Sequence, residues 1–355
     1  MSRKFNVIGL MSGTSMDGLD LAFCSFENNN KQWIFDIHQA ETVPYPNEWL
    51  TSLNSARELS DEDLYELSLL YGRYLSDCVV AFIDKYELED VDFIASHGHT
   101  IHHKPSEGIT VQIGDGNVIS NQTKLPVVYD FRIQDVELGG QGAPLVPVGD
   151  ILLFSEYQAC LNLGGFANIS FDYEGSRVAF DISPINIVLN YLTRKVGRDY
   201  DFGGEMASKG QIIPALLEQL NALDYYNMPI PKSLGIEWVE MNLYPLLLKS
   251  YEVNDMLLTV VIHVSQQVSQ VLNQYDIQNI LVTGGGVYNT YFMDKLRAVS
   301  VSSVIVPDDI VVEFKEALIF GFMGVLRMDN RINVLKSVTG ANQDHSSGKM
   351  AFPDK

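Results

Sequence analysis

The sequence predicts an α/β protein of two similar domains around a common cleft, and three observations carry that reading. The chain has 355 residues, more than one ordinary domain, and 46% of them are hydrophobic, enough for two cores. Glycine-rich turns follow short β-type runs at Gly13, Gly164 and Gly284. The order of elements also recurs: a hairpin with a glycine turn, then a helix, then a strand ending in small residues. The residues themselves do not repeat. The expected domains are 1–150 and 151–355, with the last helix free to pack back on the first. A ligand is expected at their interface.

Taken in order, residues 5–10 and 19–26 read as strands joined by the loop 11–18. Residues 33–42 read as a third strand, reached through the polar turn 27–31, and the three form an antiparallel meander. Residues 61–85 place Leu64, Leu67, Tyr71, Leu75, Val79 and Phe82 at helical spacing behind an acidic first turn. Residues 93–96 read as a short buried strand that ends at His97. The second half opens after the glycine- and proline-rich stretch 138–147. Strands are expected over 159–163, 168–173 and 177–180, then a helix over 186–196. A long helix over 255–275 leads into a strand over 280–283, which the glycines 284–286 punctuate. Helices follow over 289–299 and 313–327, and the polar tail after Gly340 is expected to be loose.

The formal charge is −21. Such acidity opposes non-specific binding to nucleic acid or to an anionic membrane, both of which need a cationic face. It does not oppose a phosphate ligand, because backbone amides, helix N-termini and bound Mg2+ offset charge locally. Cys24, Cys78 and Cys160 are widely spaced and read as buried thiols, without a disulfide or zinc pattern. The apolar run near the N-terminus is short and broken by Asn6, so it reads as a strand and not as a signal peptide. No apolar run reaches the roughly 18 residues of a membrane span. A soluble, cytoplasmic protein is expected.

The densest chemistry lies in Gly9-Leu-Met-Ser-Gly-Thr-Ser-Met-Asp-Gly-Leu-Asp20. Glycines let backbone approach an anion closely, and exposed N–H groups and hydroxyls can take phosphate oxygens. Asp17 and Asp20 are candidate ligands of Mg2+, directly or through water. A polar hairpin turn is the plainer reading of the same residues. The stretches Asn162-Leu-Gly-Gly-Phe-Ala-Asn-Ile-Ser170 and Val282-Thr-Gly-Gly-Gly-Val287 repeat the strand-then-glycine design. Together the three turns resemble the phosphate and adenosine loops of the actin, Hsp70 and hexokinase superfamily. Asp181, after an apolar strand and before a helix, is placed either for general-base work or as a helix cap. His97, His99, His102 and His103 crowd one expected loop, where hydrogen bonding to a polar substrate, or plain loop exposure, outweighs metal binding. Arg132 suits a carboxylate or phosphate, or a salt bridge to Asp130 or Asp135.

At these residues the chain resembles the anhydro-N-acetylmuramic acid kinase family over nearly its whole length. The hallmark is MSGTSxDGxD at residues 11–20. It is followed in order by Ser96-His-Gly-His-Thr-Ile-His102, Gln112-Ile-Gly-Asp115, Tyr129-Asp-Phe-Arg132, Gly139-Gly-Gln-Gly-Ala-Pro-Leu145, Phe180-Asp181 and Ser337-Val-Thr-Gly-Ala341. The resemblance implies two actin-like, ribonuclease H-like domains with a nucleotide cleft between them, usually in a homodimer. It implies ATP- and Mg2+-dependent opening of the 1,6-anhydro ring by water, with phosphorylation of O6, in cell-wall sugar recycling. By the motif match, Gly13, Thr14, Ser15, Met16, Asp17, Gly18, Leu19 and Asp20 bind the ATP phosphates, and Asp181 activates the water. Gly164, Gly165, Gly284 and Gly285 lie around the nucleotide. His97, Arg132, Gln141 and Asn186 fall to the sugar side. One departure stands out: the family commonly reads Phe-Asp-Thr-Gly-Pro-Gly-Asn, and this chain reads Phe180-Asp-Ile-Ser-Pro-Ile-Asn186. This change motivates a kinase of a different anhydrosugar or hydroxylated sugar as one alternative, and a catalytically silent sugar- or nucleotide-binding sensor is the other. His99 also stands where glutamine is usual.

Overall fold

The computed structural model describes residues 3–13, 16–29 and 32–354. The chain forms two compact units, 1–153 with 314–355, and 154–313. The second domain expected over 151–355 thus ends as a compact unit at Glu313, and everything after it belongs with the first.

In the first unit β1 (Lys4–Ser12), β2 (Leu19–Asn28) and β3 (Trp33–Val43) form the antiparallel meander. Next, β4 (Phe93–Lys104) lies parallel to β1 on its other side. The strand β5 (Ile109–Ile113) folds back on β4, and β6 (Val127–Tyr129) extends the sheet in parallel beyond it. Helix Asp61–Tyr86 covers this sheet, its first turn capped by the Ser60 hydroxyl, which accepts from Asp63 N at 3.2 Å. Its Leu64, Tyr71, Leu75, Val79 and Phe82 are buried with Ile8, Leu10, Ile94 and Val127 in one cluster. Helix Asp309–Met328 begins in the second unit and runs into the first. There it passes so close to β1 that a Cβ on Gly9 would lie 2.0 Å from the Ala317 carbonyl oxygen. Gly9 therefore serves packing.

In the second unit β7 (Ala159–Leu163), β8 (Phe166–Tyr173) and β9 (Ser176–Pro184) form another antiparallel meander. Again a fourth strand, β10 (Asn279–Thr283), lies parallel to the first, and β11 (Ser303–Ile305) lies parallel beyond it. Helix Val253–Gln274 buries Val260, Val264 and Val268 with Leu161, Ile169 and Phe171. Neglecting the β5 hairpin and a C-terminal edge strand beyond β6, both sheets have the order third, second, first, fourth, fifth strand. The recurrence read from the sequence is thus a recurrence of topology.

Two local expectations are corrected. The strand expected to stop at residue 96 continues to Lys104, so the four histidines lie on β4 and not in a loop. The sequence misleads there because β4 bulges: Leu10 pairs with Ser96 but Ser12 pairs with His99. Gly98 takes φ +73° in that bulge, where a Cβ would lie 2.6 Å from the Ile113 carbonyl oxygen. The tail after Gly340 is ordered. It carries β12 (Lys349–Ala351), antiparallel to β6, and the buried Ser347, whose hydroxyl donates to the Phe131 carbonyl at 2.6 Å. Its order comes from buried polar bonds, which leave no apolar periodicity to read.

Candidate active site

In the first unit the turn between β1 and β2 closes with a bond from Met16 N to the Gly13 carbonyl at 3.2 Å. Met16 takes φ 57°, a left-handed position rare for a methionine. Thr14 and Ser15 lie outside the described residues. Asp17 is exposed, and the Asp20 carboxylate accepts from the Thr42 hydroxyl at 2.6 Å. Gly18 is needed because a Cβ there would meet the Val43 carbonyl oxygen at 2.7 Å. Leu19 is buried in the core and opens β2, so its contribution to the turn is one of anchorage.

Behind the turn runs a buried chain of hydroxyls. Ser12 Oγ lies 2.7 Å from His99 Nδ1 and 2.6 Å from Tyr45 Oη, which lies 2.6 Å from Tyr71 Oη. Burial first, and the Arg57 charge second, push the His99 imidazole down to about 4, so it is neutral near pH 7. This chain fixes the last residue of β1 before Gly13.

His97 and Arg132 come together. Arg132 Nε donates to His97 Nε2 at 2.9 Å, and His97 Nδ1 therefore carries the proton and donates to the Gly98 carbonyl at 2.8 Å. Burial, then the guanidinium, holds His97 well below its ordinary range. Arg132 also donates to the Gly142 carbonyl, and of the alternatives that the sequence left open the salt bridge to Asp130 or Asp135 is not formed among the described residues. Burial lowers the guanidinium to about 10, which leaves it a cation. Asp135 instead holds the neighbouring loop. Fully buried, it accepts from Gly142 N at 2.6 Å and from the Thr339 hydroxyl at 2.7 Å. Gln141 is exposed on that loop and is tied to Thr339 through its backbone N–H at 2.8 Å.

In the second unit one cross-strand row reaches over four strands: Thr283 on β10, Asn162 on β7, Asn168 on β8 and Asp181 on β9. Residues opposite one another in register share a face, so these polar side chains line up. A bulge in β9 follows at once, because Ala167 pairs with Ser183 while Asn168 pairs with Asp181. Asp181 is half-buried, and its Oδ2 accepts from Leu234 N at 2.8 Å. Desolvation raises its carboxyl above the ordinary range, and the Leu234 bond pulls it partly back. Asp181 lies within β9 and is not the helix cap that the sequence left open; that position falls to Ile185.

The glycine turns of this unit abut. Gly284 takes φ +86°, where a Cβ would lie 2.4 Å from Asn162 Oδ1, and a Cβ on Gly286 would lie 2.6 Å from that of Leu163. A Cβ on Gly285 would meet nothing within 4 Å, and Gly165 is nearly as open. Asn186 donates from its amide to the Leu163 carbonyl at 3.0 Å and to the Gly164 carbonyl at 2.7 Å. It thereby holds the first glycine turn to the helix Asn186–Arg194. The residues replacing the family's glycines face inward. Ser183 and Ile185 are buried, and Ile185 stands at the N-cap of that helix.

Asp17 and Asp20 supply oxygen donors of the kind Mg2+ prefers, and such an ion takes its other ligands from phosphate and water. Among the described residues no three His, Cys, Asp or Glu side chains are grouped to hold a metal by themselves. The sequence reading missed Tyr45, Asp135 and Leu234 as supports of the site. It also missed Glu316, whose carboxyl desolvation raises against the pull of Arg132 and Lys315. Ser12 is read from its place in the glycine segment, but its bonds to Tyr45 and His99 are not. The backbone N–H of Leu234 carries no signal in the sequence.

Two sheets of one strand order, each with a glycine turn after its first strand, define the actin-like fold class. The family model described as anhydro-N-acetylmuramic acid kinase matches residues 5–353. A relative named anhydro-N-acetylmuramic acid kinase from Francisella tularensis subsp. novicida is 30% identical, over 99% of this chain and 100% of its own length. One of the same name from Coxiella burnetii is 31% identical, over 99% of each chain. Among solved structures, the Acidaminococcus fermentans (R)-2-hydroxyglutaryl-CoA dehydratase component A aligns at a TM-score of 0.44 and 12% identity. It covers 88% of this chain and 95% of that one, a likeness too distant to bear on the site. The chain belongs to the anhydro-N-acetylmuramic acid kinase family.

Proposed function

We propose that the chain is an ATP-dependent kinase of 1,6-anhydro-N-acetylmuramic acid that yields N-acetylmuramic acid 6-phosphate and ADP in cell-wall sugar recycling. The observation that carries this reading is Asp181, a half-buried, desolvated carboxylate in one cross-strand row with Asn162 and Thr283, which stand just before the two glycine turns, in a chain of this family. Such a carboxylate, in its ionised form, is a stronger base than an exposed one. Asp181 takes a proton from water as the water oxygen attacks the anomeric carbon. The bond from that carbon to O6 breaks, O6 forms its bond to the γ-phosphorus, and the bond from phosphorus to ADP breaks. The bridging O6 thus serves as leaving group and nucleophile in turn.

Gly13, Thr14, Ser15, Met16, Asp17, Gly18 and Asp20 are assigned to the ATP phosphates. Gly164, Gly165, Gly284 and Gly285 are assigned to the nucleotide, and Gly285, which no packing requires, supports that most directly. Asp17 and Asp20 would hold Mg2+, which when bound neutralises the charge gathering on the transferred phosphoryl group. Arg132, aligned by His97, is assigned to the substrate's carboxylate, and Gln141 and Asn186 are assigned to the sugar as well. A homodimer in the cytoplasm completes the reading. The inward-facing Ser183 and Ile185 give no ground for a changed sugar, since their side chains are spent in the core.

The test is incubation of purified protein with the anhydrosugar, ATP and Mg2+, with ADP and the phosphosugar quantified. Stoichiometric formation of both is expected. A protein that binds ATP but leaves this sugar untouched overturns the assigned substrate, and ADP release with a panel of other anhydrosugars then redirects it.

A further inference from the structure

One segment of the second unit meets every polar group of Asp181 except one carboxylate oxygen. The Tyr225 hydroxyl donates to the Asp181 carbonyl at 2.6 Å, and Asp181 N donates to the Lys232 carbonyl at 3.1 Å. Leu234 N donates to Asp181 Oδ2 at 2.8 Å, whereas Oδ1 has no protein partner among the described residues. The segment is braced from within. The Lys232 ammonium donates to the carbonyls of Tyr225 at 2.9 Å and Tyr226 at 3.2 Å, and lies 4.7 Å from the Tyr225 ring centre. It is braced from outside as well. The Tyr226 hydroxyl lies 3.0 Å from that of Ser183 and 2.7 Å from His263 Nε2, and His263 Nδ1 lies 2.7 Å from Asn221 Oδ1.

We infer that Leu234, through its backbone N–H, is a positioning residue for the Asp181 base, held in place by the strap that Tyr225 and Lys232 anchor. The inference rests on the reading of Asp181 as the general base. Anchoring Oδ2 leaves Oδ1 to receive the proton and fixes the carboxylate plane. The same bond stabilises the ionised form, so it tunes basicity as well as direction. The titratable groups of the strap that face Asp181 are Tyr225, raised by burial and therefore neutral, and Lys232, whose ammonium is turned onto carbonyls. From β8 the neighbour is the uncharged Asn168. The N–H is thus the main favourable partner of the carboxylate.

The experiment is the pH dependence of kcat/KM for ADP release by the full-length enzyme. A base must be ionised to act, so activity falls as pH drops through the Asp181 pKa. Leu234→Pro deletes the N–H, and the acidic limb is expected to move to higher pH by about one unit. Leu234→Ala retains the N–H and is expected to keep the limb where it is in the wild type. Should circular dichroism show that Leu234→Pro does not fold, Tyr225→Phe carries the test, with a smaller shift in the same direction. A folded Leu234→Pro, or in its absence Tyr225→Phe, with an unmoved limb overturns the inference. Asp181→Asn turning over at the wild-type rate overturns the reading of the base beneath it, and the two failures are told apart by these separate variants.

Discussion

The two sheets share a strand order and differ in what their equivalent rows carry. Just before the glycine turn of the first unit the row runs Met11, Asp20, Thr42; in the second it runs Asn162, Asn168, Asp181. The carboxylate stands on the middle strand of one meander and on the third strand of the other. Asp20 meets a hydroxyl at 2.6 Å beside an exposed turn. Asp181 meets a single backbone N–H in a half-buried place that raises its carboxyl. Topology decides where a carboxylate can stand at the end of a meander. Its neighbours decide whether it suits a cation or a proton.

The largest effect expected from this contrast is that of Asp181→Asn. It should lower kcat by about 10²- to 10⁴-fold with ATP affinity retained, as steady-state kinetics and a nucleotide-binding titration would reveal. Asp20→Asn tests the other row. A rise in the KM for ATP of about tenfold, with a smaller change in kcat, fits a phosphate-side role; equal loss of kcat in both variants would erase the contrast.

Backbone effects come next. Gly284→Ala puts a side chain at φ +86° and against Asn162, and should cost about 2 kcal/mol or more in a denaturant melt. Gly285→Ala should change stability by less than about 0.5 kcal/mol, because its Cβ would meet nothing within 4 Å. A raised KM for ATP in that stable variant would mark Gly285 as a place where ligand comes close.

The pH dependence of stability separates the units more gently. Burial holds His99 down to about 4 and His263 to about 3 in the fold. The unfolded chain binds protons near pH 6.5 and the folded one does not, so stability is full above that pH and falls as pH drops from 6.5 toward 3. Melts of His263→Gln should show a shallower loss over that window, and a slope equal to that of the wild type would contradict the buried neutral imidazole.

Much of this was legible in the sequence because apolar periodicity and glycine are local signals. The helix read over 61–85 is the helix Asp61–Tyr86, and the meander read over 5–42 is β1 to β3. The β4 histidines were misplaced because a bulge at Gly98 resembles a strand end. Ordering of the tail rests on Ser347, Asn333 and His345, single polar residues bonded across long sequence separations, which no local pattern announces. Asp181 was picked out by its neighbours in the chain. Its partners Leu234 and Tyr225 lie 53 and 44 residues away, and only the folded chain brings them to it.

The most direct test of the account is product analysis in 18O-labelled water with the anhydrosugar, ATP and Mg2+, for wild type and Asp181→Asn side by side. A 6-phosphosugar one labelled oxygen heavier is expected from the wild type and none above background from the variant. An unlabelled product, or equal product from both, would contradict it.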